Sequence, residues 1–227
     1  GAVEWRFLKN SLTQKETRGI GAIDSAARVL RRKLINRFIR QFPDEDIHIT
    51  EDKSRNLIPR LLSGWLDVVL IRPPEQVDAM LTTRFIANET CVLAVPAHHR
   101  LVDYPEVTIR DFCHEPVIMP ERRTRPHSHD LTMNVFKAGG CTPVIAQYAE
   151  EKQTILSFVA AGLGIALVPS SYKNMNADGV KYLTLSPAID IEGLPLSAMW
   201  HQGNNNLYVS ALLDMLADNL DALTREL

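Results

Sequence analysis

Residues 67–71 read DVVLI, an aspartate followed by four aliphatic side chains with no polar alternation. A strand with one wet face alternates apolar and polar residues, so this run needs cover on both faces. A parallel sheet between layers of helices provides that cover, and the flanking sequence agrees. Residues 20–23 form a short apolar run closed by Asp24 and Ser25, both good helix-capping residues. Leu30, Leu34, Ile35, Phe38, Ile39 and Phe42 then recur at helical spacing, which predicts an amphipathic helix over 26–41 ended by Pro43. IHITE at 47–51 alternates as a strand, Ser54 is placed to cap a helix over 55–63, and Gly64 to end it. Strand–helix–strand–helix–strand is the alternation of a doubly wound layer.

A second series of the same kind follows. Residues 84–96 read as further strand leaving the first series. Strands are predicted at 117–119, 144–148, 165–168 and 180–185, with helices at 131–138, 150–161 and, briefly, 171–175. A strand over 196–200 and a closing helix over 207–223, with Leu212, Leu213, Leu216, Leu220 and Leu223 on one stripe, complete the first series. The fold class expected is α/β, two Rossmann-like lobes joined by two crossover strands. Lobe I covers 19–94 plus 196–227, lobe II covers 95–195, and 1–18 is the end of a helix or a linker. The 227 residues suffice for two such lobes. Chains of this organisation take a small ligand in the cleft, against strand ends and helix starts.

Composition excludes more than it assigns. A formal net charge of −2 gives no global attraction to nucleic acid or anionic lipid. No run of about 18 apolar residues is present, and the opening residues lack the apolar centre of a signal peptide, so no membrane partner is expected. Cys91, Cys113 and Cys141 are sparse and contain no C-x-x-C, which suggests a reducing compartment. Gly162 and Gly164, in the stretch FVAAGLGIALVPSS at 158–171, form a G-x-G that invites a phosphate-loop reading. A dinucleotide fingerprint follows a strand and opens a helix; here a helix ends and a strand begins, and Leu167 stands where the third glycine belongs. Gly162 therefore reads as a left-handed helix cap and Gly164 as a close backbone approach, and no cofactor is expected. His127, His129 and Asp130, like Cys113 with His114, lack a third ligand at recognisable spacing, so no metal is expected. No nucleophile–base set is visible, so the chain is not expected to be an enzyme.

Five segments carry a family resemblance: IGAIDSA at 20–26, RFIRQFP at 37–43, LLSGWLDVVL at 61–70, VLAVPAHHRL at 92–101 and VAAGLGIALVP at 159–169. In this order and spacing they resemble the effector-binding domain of LysR-type transcriptional regulators. MNVF at 133–136 and the run 159–171 look closest to the branch that senses benzoate and muconate. The resemblance implies a type 2 periplasmic-binding-protein-like fold, a small-molecule effector, a homodimer or homotetramer and a cytoplasmic location. It also implies operator DNA contact through a winged helix-turn-helix preceding residue 1; the chain opens on Gly1 rather than Met, in keeping with an upstream segment. The alternative on the same architecture is a transporter's solute-binding protein, which would carry a signal peptide or lipid anchor and tend to be monomeric.

Ser25 and Ser54 each offer a hydroxyl beside the positive end of a helix, and two such ends make a carboxylate site without a metal; each also reads simply as a helix cap. The resemblance implies effector contacts at Ser25, with Ala26, and at Ser54. Arg72 ends the 67–71 strand, where it suits either a bidentate carboxylate fork or a salt bridge to a neighbouring acid. The second lobe is expected to contribute Pro126, His127 and Ser128 from RPHSH, and Val159. Glu121-Arg122-Arg123-Thr124-Arg125 is more basic than the resembled branch, which implies a more anionic ligand or a solvated loop. The outer side of the predicted first helix holds Arg28, Arg31, Arg32, Lys33, Arg37 and Arg40, read as a solvated face or subunit contact before a DNA phosphate surface. The resemblance implies that this helix packs on a partner's closing helix, where Asp214, Asp218 and Asp221 would complement the arginines.

Overall fold

Val3, Trp5 and Phe7 alternate with Glu4 and Arg6, and in the computed structural model they form a strand, β1 (Val3–Phe7), instead of the helix end or linker expected of 1–18. The structure describes residues 2–7, 16–175, 177–204 and 207–219. β2 (Glu16–Ala22) leads into α1 (Asp24–Val29), which continues through a π-helical turn (Leu30–Leu34) into α2 (Ile35–Gln41). The helix predicted over 26–41 is thus present with one widened turn in it. β3 (Glu45–Glu51), α3 (Ser54–Leu62), β4 (Val68–Ile71) and β5 (Leu81–Glu89) follow. All four side chains of β4 are buried, the two-sided cover that its sequence demands.

Beyond β5 come β6 (Cys91–Pro96), α4 (Ile109–Phe112), β7 (Pro116–Pro120) and α5 (Pro126–Ala138). β8 (Val144–Ala149), α6 (Lys152–Ala160), β9 (Ala166–Pro169), a 3-10 turn (Ser170–Asn174) and β10 (Val180–Leu183) follow. β11 (Leu194–His201) and α7 (Leu207–Asp218) close the described chain. α5 begins five residues before the helix predicted at 131, because Pro126 fits the first helical position, where its missing N–H is no loss. RPHSH is therefore helix start and not loop.

The chain divides into two compact units, Gly1–Asn88 with Pro195–Leu227, and Glu89–Leu194. In the first, the sheet order is β1-β3-β2-β4-β11-β5. β2 runs parallel to β3 and β4, while β1 and β11 run antiparallel to their partners β3 and β4. One face of this sheet is covered by α1, α2 and α7 around Ile47, Ile49, Leu30, Leu34, Phe38, Leu212 and Leu216. α3 covers the other face through Leu57 and Leu61 against Leu66, Val69, Ile71 and Met199. α7 packs on α2 of its own chain: the Tyr208 ring lies 4.3 Å from Phe42 and 6.2 Å from Phe38. The apolar faces of these helices thus pack within the chain, which leaves the arginine-bearing face of the first helix as the one that the resemblance assigned to a partner's closing helix. Asp214 and Asp218 remain exposed on α7, and Asp221, Leu220 and Leu223 lie outside the described residues.

In the second unit β6 is flanked by β9 and β10, antiparallel to both, which puts β6 here and starts the unit at Glu89 instead of 95. β7 and β8 are parallel, and a single bridge from Val117 to Ile165 ties this pair to the chain entering β9. That bridge explains one glycine: a Cβ at Gly164 would lie 2.7 Å from the Pro116 carbonyl oxygen. Gly162 has φ +80 and ends α6, as a left-handed cap does, with its N–H on the Val159 carbonyl at 2.9 Å and the Leu163 N–H on Phe158 at 3.0 Å. The cysteines depart from expectation. Cys113 and Cys141, though sparse and far apart in sequence, are joined by a disulfide, and Cys91 is buried and takes no part in it.

Candidate functional site

In the first unit the parallel strands end together. Ala22 pairs with Glu51 on one side and with Leu70 on the other, so the connections after β2, β3 and β4 leave from one edge of the sheet. β3 and β4 flank β2 on opposite sides, and the helices that follow β2 and β3 cover opposite faces, which makes this edge a topological switch point. Ser25 lies in the first turn of α1 and Ser54 opens α3, while Arg72 follows β4.

Neither serine caps its helix. The residues flanking the two helix starts are Ile23 and Lys53, with no side-chain cap bond. Asp24 accepts the Ser25 N–H at 2.9 Å, and Asp52 accepts the Lys53 N–H at 2.8 Å and the Asn56 amide at 3.0 Å. Ser54 Oγ instead accepts the Arg72 N–H at 3.1 Å, tying the end of β4 to the start of α3. Ser25 is 3% exposed and its hydroxyl has no hydrogen-bond partner among the described residues; Ala26 beside it is fully buried. Arg72 is half-buried and donates through Nη1 to the Pro195 carbonyl at 3.2 Å, so part of its fork holds β11. The two aspartates offset the positive ends of these helices, which leaves hydroxyls and cations as the groups that would distinguish an acid here.

In the second unit Pro126 is exposed at the first position of α5, and His127 and Ser128 are half-buried in the same turn. The Ser128 carbonyl accepts the Thr132 hydroxyl at 2.8 Å. Arg125 precedes the helix and turns inward, its Nε donating to the Glu150 carbonyl and its Nη1 to the Tyr172 hydroxyl at 3.4 Å. Arg122 lies 3.9 Å from Asp130 and is largely solvent-exposed. The basic stretch is therefore partly structural and partly solvated. Val159 does not line a surface: it is fully buried with Ile155 and Leu156 in the core under α6. Among the described residues no group of three or more His, Cys, Asp or Glu is disposed to hold a metal ion, and no helix is long and apolar enough to cross a membrane.

The family model for the LysR substrate binding domain matches residues 14–221. The chain belongs to the LysR substrate-binding domain family. Among curated relatives, the HTH-type transcriptional regulator TtuA of Agrobacterium vitis is 41% identical over 217 residues, which is 95% of this chain and 71% of that protein. The effector-binding domain of BenM with its effector benzoate, from a regulator of Acinetobacter baylyi, superposes with TM-score 0.75 at 24% identity, covering 95% of this chain and 96% of that one. The effector-binding domain of QuiR in complex with shikimate gives TM-score 0.73 at 18% identity, covering 92% and 99%. At these identities the structural likeness is one of fold, the periplasmic-binding-protein-like α/β type.

This LysR domain also holds polar groups at the same sheet edge that periodicity does not reveal. Thr50, opposite Gly21 in the β2–β3 register, is fully buried and its hydroxyl has no hydrogen-bond partner among the described residues. Only its place one residue before the end of a strand, ahead of Asp52 and Ser54, hints at it. The family match is to a regulator's domain, which favours regulation over the solute-binding alternative.

Proposed function

We propose that this LysR domain senses a small organic acid, and that Ser25 and Ser54 hydrogen-bond it at the strand ends of the first unit, with Ala26 and Arg72 beside them. Pro126, His127 and Ser128, at the start of α5 in the second unit, are further candidate effector contacts. The observation that carries this reading is the Ser25 hydroxyl, buried and without a partner among the described residues at a switch-point edge, because a native fold rarely keeps such a group without use for it. The whole regulator is then a cytoplasmic homo-oligomer that meets operator DNA through a helix-turn-helix outside this chain, and carries out no chemistry on its effector. Its effector acts through unequal affinity for two arrangements of the protein. The finer placement in a benzoate- and muconate-sensing branch draws support from MNVF at 133–136 and the fold likeness to BenM. The relative at 41% identity is TtuA, so benzoate and muconate enter as test compounds.

Thermal-shift measurement against benzoate, muconate, shikimate, amino acids and sugars tests the reading. At 100 times its Kd a ligand adds about 2.7 kcal/mol of stability. One or more acids should raise the melting temperature, and Ser25→Ala should abolish that rise while leaving the unliganded protein within about 0.5 kcal/mol of the parent. A response to sugars or cations alone would overturn the acid assignment. Unchanged affinity in both Ser25→Ala and Ser54→Ala would overturn the site.

A further inference from the structure

Cys113 and Cys141 are placed by two separate pieces of backbone. Cys113 closes α4, one residue after Phe112, whose fully buried ring meets Phe136 of α5 edge-on at 5.7 Å. Cys141 follows the end of α5, where Gly140 takes φ +73. The Gly140 and Cys141 N–H groups bond the Lys137 and Phe136 carbonyls at 2.9 Å each, a Schellman closure. The end of α5 also packs against the start of α4, since a Cβ at Gly139 would collide with the Ile109 side chain. The Cα atoms of the two cysteines are 6.1 Å apart, within the span that a disulfide bridges, and their sulfurs are bonded. Neither belongs to the candidate ligand site.

We propose that Cys113 and Cys141 form a reversible thiol–disulfide site whose oxidant is a small-molecule disulfide of the glutathione type. A regulator that acts on DNA works where thiols are kept reduced, and a disulfide there is transient; in this respect the proposal rests on the regulatory reading. Cys141 is half-buried and Cys113 only 5% exposed, so Cys141 is the entry point. Its thiolate attacks one sulfur of RS–SR, the S–S bond breaks, and RS⁻ leaves and takes a proton. The Cys113 thiolate then attacks the Cys141 sulfur of the mixed disulfide and expels the second RS⁻. Two protein thiols lose two electrons, and one external disulfide is reduced to two thiols. Excess reduced thiol reverses both steps. The bond closes a loop with a sequence separation of 28 that contains β7 and all of α5. Oxidation therefore restricts the unfolded chain and pins the far end of the helix whose first turn carries Pro126, His127 and Ser128.

The test is to equilibrate the full chain in buffers from fully reduced to fully oxidised glutathione, trap free thiols with maleimide and count them by mass. Two of the three thiols should disappear together, map to a Cys113–Cys141 peptide and return on adding reduced glutathione without denaturant, while the Cys91 thiol is counted unchanged throughout. The oxidised protein should melt on the order of 5–10 °C above the reduced one. That difference should vanish in Cys141→Ser and in Cys113→Ala and persist in Cys91→Ala. The proposal is overturned if both thiols remain free in oxidised glutathione, if the bond forms but resists reduction in the native protein, or if Cys141→Ser keeps the difference in melting. No effector is added, so failure of the organic-acid reading leaves these outcomes unchanged.

Discussion

A buried hydroxyl without a partner costs a fold on the order of 1–3 kcal/mol, and Ser25 carries that cost where Ser54 does not. The Ser54 hydroxyl holds the Arg72 N–H, so Ser54→Ala should destabilise the unliganded protein by about 1 kcal/mol, whereas Ser25→Ala should not. The glycine pair separates two further single-residue effects. At Gly164 an added Cβ meets the Pro116 carbonyl, which is backbone held by the bridge between Val117 and Ile165 and cannot turn aside. Gly164→Ala should cost about 2–3 kcal/mol by forcing that backbone apart. At Gly162 nothing lies within 4 Å, and the only cost is that of placing a side chain at φ +80. Gly162→Ala should therefore cost about 1–2 kcal/mol. Urea denaturation of both variants checks the order, and an equal or inverted pair would show that close approach is not what keeps Gly164.

β1 covers the open edge of β3, with Trp5 opposite Ile49 and the Arg31 guanidinium 4.0 Å from the centre of the Trp5 ring. Edge strands fray first, because only one neighbour holds them. Trp5→Ala should therefore speed hydrogen exchange at those amides of 45–51 that bond β1, and leave those that bond β2 protected. Uniform loss of protection across β3 would mean that β1 is integral to the sheet and not a removable edge. The alternation V-E-W-R-F is a strand signal in plain view, set aside when the polar run up to Gly19 is read as a helix end or linker. The start of α5 was hidden for a different reason: Arg125 offers no cap bond, and the apolar periodicity begins only at Leu131. Strands buried on both faces, β4 above all, were legible because their composition permits no other environment. The place of Ser25 and Ser54 at a sheet edge was legible for the same reason, since each follows a recognisable strand. What their hydroxyls bond was not, because the partner of Ser54 lies 18 residues away in sequence and is fixed only by the fold.

At the scale of the molecule the two units are built differently from the chain. Every residue of the two cores of the second unit falls between Val92 and Ile191, inside the continuous stretch Glu89–Leu194. Its five strands pair only with one another, and the buried Glu89 that opens it accepts the Ser171 hydroxyl of the same unit at 2.6 Å. The first unit is drawn from both ends of the chain. β11 lies between β4 and β5 in its sheet, and α7 supplies Val209, Leu212, Leu213 and Leu216 to its larger core. Removing β11 and α7 therefore opens the middle of a sheet and one wall of a core, not an edge. A fragment of residues 89–194 is near the usual size of a self-sufficient domain, roughly 100 residues, and should fold alone. It should show mixed α/β circular dichroism and a single cooperative thermal transition. A fragment of residues 1–88 should lack a cooperative transition, and adding residues 195–227 through a short flexible linker from 88 should restore one. If 89–194 melts without cooperativity while the whole chain melts in one step, the second unit depends on the first for its stability, and the chain folds as one cooperative body.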